Sequence, residues 1–132
     1  MKLLLQTLPI PTPVLLFTLG AVGYPIIELL WRGRTHWTMA LAGGLSMVLL
    51  LLISRTSLPL PLMWLAGALA ITAVEFAIGC IVNRWLHLGV WDYSALPMNL
   101  LGQICLPFTA VWFALSIPGI ALCQWIERLT VS

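Results

Sequence analysis

The sequence predicts an all-α integral membrane protein of four transmembrane helices joined by short loops, and three observations predict it. Of its 132 residues, 61% are hydrophobic and only 8% are charged, a balance foreign to soluble globular domains. The mean hydropathy is +1.06. A helix crossing the roughly 30 Å hydrocarbon layer needs about 20 residues, so this length admits four crossings and little else. The chain therefore reads as a single membrane domain, 1–132, with no room for an appended catalytic domain.

The N-terminus, Met1-Lys2 followed by three leucines, has the outline of a signal peptide. Pro9, Pro11 and Pro13 interrupt the apolar run and no small-x-small cleavage site follows, so it is expected to stay as an interfacial lead-in. The first span runs from about 13 to 31 and is closed by Trp31-Arg32-Gly33-Arg34, aromatic and basic anchors of the kind found at a membrane interface. The second, about 37 to 54, carries Gly43-Gly44 and ends at Arg55. The third, about 62 to 82, follows Pro59 and Pro61 and ends at Asn83-Arg84-Trp85. The fourth, about 100 to 126, contains Pro107 and Pro118, which are expected to kink it.

Four crossings put both termini on one side, here side A, together with the loop at Arg55. Side B holds the loops at 32–36 and 83–99. Lys2, Arg55 and Arg128 on side A face Arg32, Arg34 and Arg84 on side B, so the positive-inside rule gives no orientation. The balance permits insertion both ways and an antiparallel dimer; the alternative is one orientation with both termini cytoplasmic. No basic run suggests nucleic acid as a partner. Cys80, Cys105 and Cys123 lie in apolar stretches without a CxxC pair, which supports neither disulfides nor a zinc site.

Ionisable residues inside a membrane are costly and mark functional positions by default. Glu28 falls about 9 Å from the midpoint of the first span and Glu75 about 5 Å from that of the third, both toward side B. Arg32, four residues after Glu28, can pair with it on one helix face. Pro25 lacks an N–H and so frees a carbonyl nearby. Thr72, Glu75, Gly79 and Asn83 repeat at three and four residues and form one polar, small stripe. The stripe serves either proton or cation handling at Glu75 or interhelical hydrogen bonding.

Between spans three and four, Trp91, Asp92 and Tyr93 precede Asn99 and Gln103, which sit four apart where the fourth helix is expected to begin. Singly these residues read as interfacial belt and turn caps. Together with Glu28 and Glu75 they predict a side-B vestibule with an acidic floor, with Arg32, Arg34, His36 and Arg84 at its rim. His36 and His87 have no second ligand at helical spacing, so no metal or other cofactor is expected. Nothing frames Ser94 as an activated nucleophile.

Several runs resemble a family of small bacterial membrane proteins named as ABC transporter permeases. They are Gly23-Tyr24-Pro25-Ile26-Ile27-Glu28, Trp31-Arg32-Gly33, His36-Trp37-Thr38-Met39, Glu75-Phe76, Gly79 to Asn83, Trp91-Asp92-Tyr93-Ser94, and Asn99 to Pro107. The likeness covers about Gly23 to Trp125. It implies a multi-pass protein of the bacterial inner membrane and assigns no substrate. An ATPase partner, which the name implies, would find only the 83–99 segment long enough to hold a coupling helix.

The sequence thus points to a small transporter or channel for an ion or small solute, with a site drawn from Glu28, Arg32, His36, Glu75, Asn83, Trp91, Asp92, Tyr93, Asn99 and Gln103. Four helices rarely enclose a conduction path alone, so a homo-oligomer is expected, and Gly20, Gly23, Gly43, Gly44, Gly67 and Gly79 allow close helix contacts. The alternatives are a non-transporting binding, sensing or assembly subunit and, further off, a lipid-acting membrane enzyme.

Overall fold

A computed structural model describes residues 10–130. The N-terminal lead-in, with Lys2, lies outside the described residues. Four long helices form, each apolar and long enough to cross a membrane: α1 (Thr12–Arg32), α2 (Trp37–Ser54), α3 (Leu60–Gly79, continuing to Trp85) and α4 (Leu106–Thr130). The protein is therefore a multi-pass membrane protein whose surroundings are a lipid bilayer.

Local chemistry sets the helix ends. Proline stands at the N-terminal turns of α1 and α3, where a missing N–H is harmless. Gly33 ends α1 in the left-handed conformation, φ 73°, its N–H donating to the Leu29 carbonyl at 3.0 Å. His36 caps α2, its Nδ1 accepting from the Thr38 N–H at 3.3 Å. At side B, Trp31, Trp37 and Trp85 are all strongly exposed, the aromatic belt of a membrane interface.

The last turns of α3, Cys80–Trp85, are π-helical. The Leu86 N–H reaches back five residues to the Ile81 carbonyl at 2.9 Å. Such wide turns insert a residue into the helical register, so the third helix outruns the expected end at 82.

The largest departure from expectation is at the fourth span. Leu100 to Cys105 are not helical; Asn99–Leu100 and Ile104–Cys105 pair as a two-stranded antiparallel hairpin. Its turn holds Leu101 and Gly102 at φ 56° and 71°, a left-handed pair that no helix accommodates. The helix begins only at Leu106, with Pro107 in its first turn rather than at a kink. Pro118 does lie inside α4 and, having no N–H, leaves the Ala114 carbonyl without its usual donor. Residues 86–98 likewise form no helix, so no coupling helix exists among the described residues of the 83–99 segment. Instead 86–105 fold back over the side-B end of the bundle as a cap.

Packing is close where glycine permits it. A Cβ on Gly20 would overlap the Gly43 carbonyl, and one on Gly43 would overlap that of Gly20, so α1 and α2 touch backbone to backbone. Gly67 instead makes room for side chains, those of Ser116 of α4 and Leu50 of α2. These contacts are made within one chain. Leu16, Leu50, Leu51, Met63, Ile120 and Cys123 fill one apolar core. Met39, Ala42, Ile78, Val82, Val90 and Trp91 fill a second beneath the cap. At the side-A end, Thr12 and Thr130 hydroxyls meet at 3.0 Å, and Arg55 pairs with Glu127.

Candidate ion or solute site

The site starts from two acids held in apolar helices. Glu28 and Glu75 are buried, at 7% and 8% exposure. Glu28 accepts from Arg32 one turn on, at 2.6 Å from both Nε and Nη2. This is the charge-assisted pairing that the i, i+4 spacing foretold, and Arg32 rather than Arg84 supplies it. Arg32 also reaches the Val90 carbonyl of the cap at 3.4 Å.

Glu75 is held by two donors from elsewhere in the chain. The Tyr93 hydroxyl of the cap donates to Oε2 at 2.8 Å, and the Trp112 indole N–H of α4 donates to Oε1 at 3.3 Å. Burial, and then the Glu75 charge, hold the Tyr93 phenol far above its ordinary range, so it stays a donor. Its ring stacks on Phe108 at 4.7 Å with 8° between planes. Tyr24, one turn before Glu28, packs edge-on to Trp112 at 6.0 Å and lies within electrostatic reach of both carboxyls.

The polar stripe of α3 faces α4 and the cap along its length. Thr72 meets the Thr109 hydroxyl at 2.9 Å. Gly79 gives room to the Trp91 ring and the Gln103 side chain. Asn83 accepts from the Val90 N–H at 2.6 Å and donates to Gln103 Oε1 at 2.8 Å. Gln103, in turn, accepts the Trp91 indole N–H on its backbone carbonyl at 3.0 Å. Asn83, Trp91 and Gln103 thus tie the cap to the bundle.

The other expected site residues lie apart from the carboxyls. Asp92 is exposed and accepts from the Ser94 N–H at 2.9 Å, a contact that holds its carboxyl below the usual range. Asn99 bridges the Ser94 and Leu96 carbonyls and accepts from the Gly102 N–H at 3.1 Å, shaping the hairpin. His36 has Thr38 and Trp37 as partners. A cleft of about 520 Å³ does open on the cap, lined by Arg84, His87, Trp91, Asp92, Ser94 and Gln103 among others, but neither glutamate lines it. The expected acidic floor is therefore absent from this cleft; Trp91 and Gln103 lie there instead, because the hairpin turns the cap inward.

Tyr24 and Trp112 belong to the cluster although neither was singled out for it. Tyr24 was detectable as the residue four before Glu28. Trp112 was detectable as a tryptophan inside a span, away from the interfacial belt.

Fold and cluster together define a four-helix membrane protein with a pair of buried carboxyls under a folded cap. The chain belongs to the family described as "Putative ABC-transporter type IV", whose model matches residues 36–131. The match takes in Glu75, Asn83 and the whole cap, while Glu28 and Arg32 precede it. No curated protein matches the chain. No solved structure matches it either.

Proposed function

We propose that the protein passes a proton or small cation across the membrane through the site around Glu28 and Glu75, and that it does so as a homo-oligomer in the bacterial inner membrane. One observation carries this reading: of two buried carboxyls only one, Glu28, is paired with a cation, the half-buried guanidinium of Arg32, while Glu75 has hydrogen-bond donors but no ion-pair partner among the described residues. With both acids ionised the site keeps one uncompensated negative charge, which is costly in low dielectric unless a proton or cation joins it. Exchange of that positive charge is the elementary step of transport, and Tyr93, anchored in the cap, stands where it would be gated. Reconstituted in liposomes, the protein should carry a proton or monovalent-cation flux that Glu75→Gln abolishes without unfolding it; undiminished flux in that variant overturns the reading.

A second reading, a non-transporting assembly subunit, is favoured by a different observation. Among the described residues no buried side-chain polar atom lacks a hydrogen-bond partner, as expected of a cluster that only holds helices in register. A stoichiometric co-purifying partner, together with absence of flux from the isolated protein, favours it.

A further inference from the structure

The cleft on the outer face of the cap holds two opposite charges that do not neutralise each other. Arg84 contributes a guanidinium whose one contact is the Leu101 carbonyl at 3.5 Å, and it forms no ion pair among the described residues. Asp92 contributes a fully solvated carboxylate of which only Oδ1 is engaged, by the Ser94 N–H. Both line the same cleft of about 520 Å³, and His87, Trp91 and Ser94 line it with them. His87 takes the left-handed conformation, φ 55°, where the chain turns out of α3.

Depth decides what such a cleft meets. Arg84 is followed by Trp85, 73% exposed, and by exposed Leu86 and Leu88. An exposed tryptophan next to a basic residue at a helix end marks the headgroup layer. A guanidinium fork there matches a phosphate anion, and a carboxylate across the cleft matches an ammonium.

We propose that this cleft binds a zwitterion combining a phosphate anion, held by Arg84 and His87, with a primary ammonium, held by Asp92. The ligand is an ethanolamine phosphodiester, whether as a lipid headgroup or free. The site is separate from the carboxyl pair and does not rest on the transport reading, because its test measures binding and reads no flux.

The test is native mass spectrometry of delipidated protein in detergent, titrated with phosphatidylethanolamine or with phosphatidylglycerol, which has the phosphodiester but no amine. The wild-type chain should retain the ethanolamine lipid about tenfold better, the factor one charge-assisted contact supplies. Asp92→Asn, which keeps the acceptor for Ser94, should erase that preference while phosphate binding persists. Arg84→Gln should weaken both lipids about tenfold, and Arg84→Lys should restore part of the loss; all three substitutions are at exposed positions, and unchanged melting confirms their fold. Displacement by millimolar free glycerophosphoethanolamine, the same phosphodiester without acyl chains, assigns the site to the soluble form, and lack of displacement assigns it to the lipid. Equal retention of the two lipids by wild type, or wild-type behaviour of both Arg84→Gln and Asp92→Asn, overturns the proposal.

Discussion

The Tyr93 hydroxyl, on a loop outside the helices, donates at 2.8 Å to Glu75, which lies within α3 four residues before Gly79. The cap and the buried acid are thereby one mechanical unit. Tyr93→Phe keeps the stack on Phe108 and removes only the donor, so it should cost about 1–2 kcal/mol, the usual penalty for depriving a buried acceptor of its partner. Denaturant unfolding in mixed micelles measures this; stability equal to wild type would show that the contact contributes nothing.

Gly20 and Gly23 lie on the same helix and should respond unequally to one methyl group. At Gly20 a Cβ overlaps the Gly43 carbonyl, whereas at Gly23 nothing stands within 4 Å. Gly20→Ala should therefore destabilise by about 1–3 kcal/mol through overpacking, and Gly23→Ala should stay within about 0.5 kcal/mol of wild type. Thermal melts of the two variants side by side decide the matter, and equal melting temperatures would contradict the α1–α2 packing.

Cys105 reports on whether the cap is shut. Its side chain is 2% exposed, and burial pushes its thiol above the ordinary range, so at neutral pH it should resist maleimide. Asn83→Ala removes the side chain that holds Val90, Trp91 and Gln103. Modification at Cys105, mapped by peptide mass spectrometry, should then rise about tenfold, as about 1.4 kcal/mol of easier local opening produces. A rate equal to wild type would mean that Asn83 does not secure the cap.

Asp92 gives the cap its acid response. The Ser94 N–H holds the carboxyl below its usual value, so its contribution is complete above the unfolded value of about 3.9 and fades as pH falls through the lower folded value. Hydrogen-exchange protection at Ser94 should be flat from neutrality to about pH 5 and fall below about pH 4. In Asp92→Asn this acid limb should disappear; its persistence would place the titrating group elsewhere.

The four spans were legible because hydropathy over about 20 residues is a coarse signal that local detail does not disturb. The Glu28–Arg32 pair was legible for a similar reason, since four-residue spacing on a helix fixes neighbours. Leu100 to Cys105 defeated the same reasoning. The run Leu100-Leu101 and Ile104 to Phe108 is as apolar as a helix, and only the left-handed Leu101-Gly102 pair separates hairpin from span. Asn99 and Gln103 consequently changed meaning: four apart on a supposed helix face, they instead begin the hairpin's first strand and close its turn. Tyr93 meeting Glu75 depends on that inward fold and had no trace in spacing.

The π-helical turns at Cys80–Trp85 make the cap a matter of counting. In a regular α-helix each residue advances about 100° around the axis, and the extra residue accommodated here sets the direction in which Asn83 leaves α3. Were these turns to tighten to ordinary α-helical bonding with the chain unchanged, each residue after Gly79 would turn further round the axis than it does now. Asn83 would then swing away from Val90 and Gln103, leaving every cap residue chemically intact and the latch facing the wrong way.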